Sequence, residues 1–194
     1  IQLGLEIGVP TLYKYYNAFG LLSRTNSQFY GESNSVFYKE NSIRKFELAT
    51  MSFGQGITIT PLQLVTAVSA IANEGVLMQP RIVDKIVDSN TGSTVSPEPV
   101  TVRQVVSKET ASKVMEMLDY TVSDGTGKYA DVKGYSIGGK SGTSENLALS
   151  DGTYVASFIG LSPTVNTQVV VLVALYNPQG DSFQGGEIAG PVVG

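Results

Sequence analysis

Residues 138–161 read GGKSGTSENLALSDGTYVASFIGL, and this stretch decides how the chain is interpreted. It holds a glycine-flanked cluster, Lys140 to Thr143, followed by an apolar segment, Tyr154 to Leu161, with the length and composition of a strand. A second strand candidate, Gln168 to Leu175, follows after a short turn. Its part from Val169 to Val173 is nearly all β-branched, which predicts a central strand.

The segments upstream of this stretch carry helical signals. One helix is predicted to begin with Thr60 as its N-cap, Pro61 at the first helical position and Gln63 completing a capping box. Gly75 is expected to end it. Because the helix that follows is apolar nearly all round, we expect it to be buried. Its apolar face is expected to consist of Leu64, Val65, Val68, Ile71 and Ala72.

Two more helices and one hairpin complete the prediction. A helix is expected over Val9 to Phe19, ending at Gly20, and another after the N-cap Ser107. Residues 81–87 and the segment near Val95 predict a hairpin, and the polar residues 23–42 predict an exposed excursion. Helices come before the sheet, which indicates an α+β fold. The face of the helix after Ser107 is expected to consist of Ala111, Val114, Met115, Leu118 and Val122.

Composition excludes several classes of function. The chain has 194 residues, enough for one domain or a large piece of one, and its net charge of −4 argues against a nucleic-acid partner. It has no Cys and no His, so disulfides, thiolate nucleophiles, Cys-ligated zinc and Ser-His-Asp catalysis are excluded within it. A nucleophilic enzyme of this composition must activate its nucleophile otherwise, and Lys is the natural candidate. The longest apolar run, Val169 to Tyr176, is far too short to span a membrane.

One interpretation of the cluster is a phosphate-binding loop. Gly134, Gly139, Lys140 and Ser141 match the pattern G-x-x-x-x-G-K-[ST]. That loop should follow an apolar strand and open a helix, whose N–H groups hold the phosphates. Here residues 130–135 are polar and a strand candidate follows, so this interpretation is disfavoured. A simple turn is the other alternative.

The cluster also resembles the K-[ST]-G motif of the penicillin-recognising serine enzymes. Four further segments resemble class B penicillin-binding proteins, in the family's order. They are SFGQG at 52–56 followed by TPLQ at 60–63, ANEG at 72–75 followed by Pro80 and Val83, YVASFIG at 154–160, and GGEIAGPV at 185–192. The resemblance covers nearly the whole chain.

The resemblance implies a fold and a set of site residues. The fold would be an antiparallel sheet packed with helices, part of the two-lobed penicillin-binding and serine β-lactamase-like transpeptidase fold, with the motif on an exposed strand edge. Lys140 and Thr143 would be catalytic, through a positive charge and an oxyanion-binding backbone N–H. Ser141, Gly142, Thr143 and Gln55 would bind substrate. We expect the side chains of Lys140, Ser141 and Thr143 to point to one accessible cleft, although strand alternation places Lys140 on the other face. Either Lys140 curls round the edge, or Gly139 or Gly142 twists the strand locally.

The family's other two motifs, S-x-x-K and S-x-N, are missing. Ser42 to Lys45 and Ser144 to Asn146 fit these patterns but lie in the wrong order and place, so we reject both. We therefore expect residues 1–194 to be the C-terminal portion of a single transpeptidase domain, with its N-terminal part absent. We interpret Gly185 and Gly186 as a structural turn, and Asn73 and Gly75 as the end of a helix.

The resemblance implies a peptidoglycan cross-linking D,D-transpeptidase that is acylated on an upstream Ser and binds penicillin. Alternatives are a D,D-carboxypeptidase or β-lactamase-like hydrolase, a non-catalytic scaffold, and, least favoured, a nucleotide hydrolase. Its partners would be peptidoglycan stem peptides, β-lactams and, through the parent protein, other cell-wall synthesis proteins. No metal and no organic cofactor is implied. The parent would be anchored in the bacterial cell membrane by a missing N-terminal segment, with this domain on the extracytoplasmic face.

Overall fold

The structure, a computed structural model, describes residues 1–145 and 152–194. The chain forms two compact units, one of Ile1–Ala70 with Val76–Val105 and one of Ile71–Gly75 with Val106–Gly194. Both units combine helices with antiparallel strands, so the prediction of an α+β fold is confirmed. Among the described helices, none has the length and apolar character needed to cross a membrane.

The first unit contains three helices and two small sheets. Strands β1 and β4 pair antiparallel, and β2 and β3 form the predicted hairpin, although each of its strands has only two residues. Strands β1 and β4 were not predicted. The elements are α1 (Gln2–Ala18), α2 (Lys45–Met51), α3 (Pro61–Ala72, whose last two residues belong to the second unit), β1 (Val76–Met78), β2 (Ile86–Val87), β3 (Thr94–Val95) and β4 (Thr101–Gln104).

Helix α1 contains the predicted helix and extends it at the N-terminal end. Its backbone breaks at Gly8, where φ is +73°, and Pro10 follows. The predicted end is confirmed, since Phe19 caps the helix and Gly20 turns the chain with φ +77°. Helix α2 was not predicted, although Glu47 accepts the backbone N–H of Arg44 at 2.9 Å in a capping arrangement.

Helix α3 begins as predicted but buries a different face. The Thr60 N–H donates to Gln63 Oε1 at 2.8 Å, and the Gln63 N–H donates to Thr60 Oγ1 at 3.1 Å. Its buried residues are Gln63, Ala67 and Ala70, whereas the expected apolar face is only half-buried. Because the Gln63 amide also donates to two backbone carbonyls, this polar side chain is satisfied inside the unit and takes the inward position.

The polar segment 23–42 is anchored, in contrast to the expectation of a simple exposed excursion. The amide of Gln63 holds the start of this segment by donating to the carbonyl of Ser23 at 2.7 Å and to that of Leu21, just before the segment, at 3.1 Å. Ser27 is fully buried, and Val36 forms a two-way bridge with Thr58. Most of its other residues are exposed or half-buried.

The second unit is a three-stranded antiparallel sheet with three helices. Its strand order is β5-β6-β7, so β6 is central and the prediction of a central β7 is wrong for this chain. The core centres on Phe158, packed with Val122, Ala130 and Ala189, and the predicted apolar face of α4 contributes to it. The elements are α4 (Lys108–Ser123), β5 (Gly138–Glu145), β6 (Tyr154–Ser162), β7 (Val169–Tyr176), α5 (Gly185–Ile188) and α6 (Gly190–Val193).

Candidate active site

The Lys-Ser-Gly-Thr cluster lies on β5, at an edge of the sheet, as the resemblance implied. Gly138 and Gly139, which begin the strand, are buried. A Cβ atom on Gly139 would lie only 2.5 Å from the ring of Phe158, the central residue of the core. Glycine at this position therefore lets the core close directly under the start of the cluster.

The pairing register determines which backbone groups of β5 point outward. The carbonyl of Tyr154 accepts the N–H of Asn177 at 2.9 Å, so the backbone groups of Tyr154 face β7. Successive residues of an antiparallel strand face opposite neighbours, so Ala156 also faces β7. Thr143 pairs with Ala156. Its N–H therefore points away from β6, toward the open edge, and the same alternation applies to Ser141.

Lys140 curls round the strand edge, which is one of the two expected ways for it to approach Ser141. Its side chain is exposed, and its Nζ donates to the carbonyl of Ser141 at 2.7 Å and lies 3.5 Å from Ser141 Oγ. The ammonium group and the Ser141 hydroxyl are thus neighbours, although strand alternation places the two Cβ atoms on opposite faces. Positive charge is concentrated beside the outward backbone groups of β5.

The hydroxyl of Thr143 is bound within the protein. Thr143 Oγ1 accepts the N–H of Gly185 at 3.1 Å and donates to Gln184 Oε1 at 3.4 Å. The two polar groups of this residue consequently have different environments. Its N–H faces the open edge, whereas its hydroxyl connects β5 to the start of α5.

Residues 182–187, which were not predicted to contribute, hold α5 against the motif strand. The Phe183 ring stacks on Tyr154 with centroids 4.2 Å apart, and the Gln184 N–H donates to Ser182 Oγ at 3.2 Å. A Cβ on Gly185 would lie 2.2 Å from the carbonyl oxygen of Gly142. The interpretation of glycines 185 and 186 as a simple turn is therefore wrong, because both are buried at the start of α5.

Gln55 belongs to the first unit, whereas residues 140–143 share one strand of the second. It is half-buried in a tight turn after α2, where its N–H donates to the carbonyl of Thr50 at 3.0 Å. The flanking Gly54 and Gly56 have φ of +88° and +75°. These values explain the two glycines, since other residues adopt such angles only with strain.

The two rejected motif candidates show no sign of catalytic geometry. The Ser42 hydroxyl donates to the carbonyl of Lys39 at 2.7 Å, at the end of a short 3-10 turn. Ser144 is a half-buried residue of β5. Asn146, the last residue of the second candidate, lies outside the described residues. Neither serine is therefore a supported nucleophile.

The sequence profile of the penicillin binding protein transpeptidase domain matches residues 1–194. The chain belongs to the penicillin-binding protein transpeptidase family. Stage V sporulation protein D of Bacillus subtilis is 38% identical over all of this chain and 31% of its own length. The peptidoglycan D,D-transpeptidase FtsI of Escherichia coli is 31% identical over all of this chain and 32% of its own length. The chain thus spans about a third of these penicillin-binding protein relatives.

Solved penicillin-binding protein structures match the fold. Penicillin-binding protein 3 of Mycobacterium tuberculosis superposes with a TM-score of 0.89 at 31% identity, over 99% of this chain and 46% of that one. The same protein has been solved in complex with ampicillin, with a TM-score of 0.88 at 31% identity, over 99% of this chain and 45% of that one. A likeness at this identity and coverage agrees with the predicted mixed helices and antiparallel sheets.

The phosphate-loop interpretation is wrong for this penicillin-binding protein chain. All of residues 138–145 form a strand, whereas a phosphate loop needs a helix directly after its Lys-Ser pair. Across residues 1–145 and 152–194, no three or more acidic side chains lie close enough together to hold a metal ion.

Proposed function

We propose that this chain is the C-terminal portion of one transpeptidase domain and supplies the oxyanion-binding wall of a peptidoglycan D,D-transpeptidase. One observation carries the proposal: the Thr143 N–H points to the open edge of β5, beside the Lys140 ammonium and the Ser141 hydroxyl. An N–H fixed by a sheet and left unpaired at its edge is a rigid donor for charge that develops during acyl transfer. Relatives named D,D-transpeptidase support the reaction class.

In the proposed reaction, a Ser supplied by the N-terminal part attacks the D-Ala-D-Ala carbonyl of a stem peptide. The new C–O bond forms, the C–N bond breaks, and D-Ala leaves as its amine takes the proton. An amine of a neighbouring stem peptide then attacks the ester carbonyl. The C–N bond of the cross-link forms, the ester C–O bond breaks, and the proton lost by the amine restores the Ser hydroxyl. The Thr143 N–H stabilises the oxyanion in both steps, and Lys140 adds positive charge beside the nucleophile.

The remaining residues would recognise the substrate. The Ser141 hydroxyl would bond a ligand lying along the edge of β5, and Gly142, which has no side chain, would let that ligand approach the strand closely. Gln55 is also proposed to bind substrate. β-Lactams would acylate the same upstream Ser, a proposal supported by the structure of a relative with bound ampicillin. The complete protein would be anchored in the membrane by its N-terminal segment, with the domain on the extracytoplasmic face among other cell-wall synthesis proteins.

The test is labelling by a fluorescent penicillin, applied to the complete protein and to this chain alone. We expect the complete protein to be labelled on its upstream Ser and the chain alone to remain unlabelled. A covalent adduct on any Ser of this chain, Ser42 included, would contradict the proposal that the nucleophile lies in the N-terminal part of the domain. An unlabelled complete protein would indicate a non-catalytic scaffold.

A second measurement separates transpeptidase from hydrolase. The complete protein is incubated with a D-Ala-D-Ala donor peptide in the presence and absence of a stem-peptide amine. A cross-linked product formed in preference to the hydrolysed donor is expected. Hydrolysis unaffected by the amine would identify a D,D-carboxypeptidase instead.

A further inference from the structure

The hydroxyl of Thr143 has a single proton, and the structure directs it to an internal acceptor. Because Gly185 donates its N–H to Thr143 Oγ1, the hydroxyl acts as acceptor on that side. Its own proton goes to Gln184 Oε1, 3.4 Å away. A hydroxyl can donate only one hydrogen bond. While it donates to Gln184, it cannot donate to the carboxylate of a ligand on β5.

The acceptor is held in place by its neighbours. The backbone N–H of Gln184 donates to Ser182 Oγ, and the hydroxyl of Ser182 in turn bonds the carboxylate of Glu187. The adjacent Phe183 lies nearly parallel to Tyr154, at an interplanar angle of 15°. The amide oxygen of Gln184 therefore competes for the Thr143 proton from a fixed backbone position.

Ser141, on the same face of β5, differs in this respect. Its Oγ is 3.5 Å from the Lys140 ammonium, which can only donate. The proton of the Ser141 hydroxyl consequently remains available to a ligand carboxylate. Of the two hydroxyls that the motif presents, one is free to donate and the other is already used.

We infer that Gln184 is a specificity-determining residue, which weakens recognition of carboxylate-bearing acyl donors by holding the Thr143 hydroxyl. This inference rests on the proposed function, since it concerns the same site. A ligand carboxylate must displace the amide oxygen of Gln184 before it gains the second hydroxyl. Acyl donors without a carboxylate do not compete with Gln184 for the Thr143 proton, so Gln184 does not weaken their recognition.

The experiment measures acylation rates of the complete protein by a penicillin and by its methyl ester, which lacks the carboxylate charge. Gln184→Met keeps the side-chain length and removes the acceptor. It should raise acylation by the acid about two- to fivefold, the range for a weak neutral hydrogen bond, and leave the ester unchanged. Gln184→Glu, a stronger and negatively charged acceptor, should lower acylation by the acid about tenfold. Gln179→Met, on the same loop, is the matched control and should change neither rate.

A second set of variants tests whether the effect of Gln184 depends on the Thr143 hydroxyl. In Thr143→Val, which has no hydroxyl to compete for, Gln184→Met should no longer accelerate acylation by the acid. Equal changes for acid and ester, or the same acceleration in the Thr143→Val background, would overturn the inference by showing a general loosening of the site. No change in Gln184→Met would overturn it as well. A wild-type protein that neither compound acylates would instead refute the proposed function.

Discussion

Replacing Thr143 by proline removes one backbone N–H and, by the register of β5, no hydrogen bond of the sheet. Thr143 lies opposite Ala156, whose backbone faces β7, so the lost N–H is the one that points to the open edge. Gly142 precedes it in an extended strand, a conformation that the residue before proline favours. The variant should therefore fold with its sheet intact, while it loses the proposed oxyanion donor and the Thr143 hydroxyl.

The magnitude follows from what each substitution removes. Thr143→Ala loses the hydroxyl and its contacts with Gln184 and Gly185 but keeps the N–H. Thr143→Pro loses both the hydroxyl and the N–H. Since one oxyanion donor contributes roughly 10²–10³ to the rate, the proline variant should be acylated more slowly than the alanine variant by about that factor.

The assay is stopped-flow or gel-based acylation of the complete protein by a fluorescent penicillin, with unfolding measured in parallel. Gly142→Pro is the control for the register, because Gly142 lies opposite Ser157, whose backbone faces β5. That variant should lose a ladder hydrogen bond and leave the carbonyl of Ser157 without its partner, at a cost of about 1–3 kcal/mol that Thr143→Pro avoids. Equal acylation rates for folded Thr143→Ala and Thr143→Pro would refute the role of the Thr143 N–H.

Two predictions concern stability. Gly185→Ala should destabilise the protein by about 1–3 kcal/mol in urea unfolding, because its Cβ would lie 2.2 Å from the carbonyl oxygens of Gly142 and Ser157. An unchanged unfolding midpoint would show that α5 can move away from β5 without cost. Burial raises the pKa of Glu32, but hydrogen bonds from Thr25 and the next two residues outweigh this effect and hold that pKa below its usual range. The free energy of unfolding should therefore fall as the pH drops through that lowered pKa. Between pH 6 and 3, Glu32→Gln should lose less stability than the wild type. Equal losses in the two proteins would contradict this prediction.

Signals with a self-contained local mechanism could be predicted from the sequence. The capping box of Thr60 and Gln63 is present, and Ser107 caps α4 by accepting the N–H of Thr110 at 3.1 Å. Such caps involve groups three residues apart, so no distant part of the chain decides them. The strands β6 and β7 were recognised for the same reason, from short apolar runs bounded by turn residues.

Predictions that depended on tertiary packing failed. The buried side of α3 includes Gln63, because the carbonyls of Leu21 and Ser23, some forty positions earlier, accept its amide. Strand β7 was predicted to be central from its β-branched residues, yet Val169 and Val171 are 53% and 39% exposed in this chain. Composition indicates that a strand is apolar, but not how many neighbours it has in a given chain.

The candidate site also combines features that the sequence predicted with features that depend on tertiary packing. The resemblance located the motif on an edge strand, and alternation predicted that its side chains could converge only through a curled Lys140 or a local twist of the strand. Nothing local could predict the second partner of the motif, because Gln184 and Gly185 contact Thr143 across about forty residues. The only signal was the glycine pair at 185–186, whose lack of side chains allows α5 to contact the backbone of β5.

The open edge of β5 offers more donors than acceptors, and this imbalance indicates what it can bind. The N–H groups of Ser141 and Thr143 point outward, and the Lys140 ammonium lies along the same edge. The carbonyls of these two residues also point outward, and that of Ser141 already accepts the ammonium at 2.7 Å. An ordinary additional strand would need both carbonyls, since ladder pairing alternates donors and acceptors. Lys140 therefore disfavours simple sheet extension and favours a ligand with one amide N–H and a negative charge, as an acyl donor with a terminal carboxylate has.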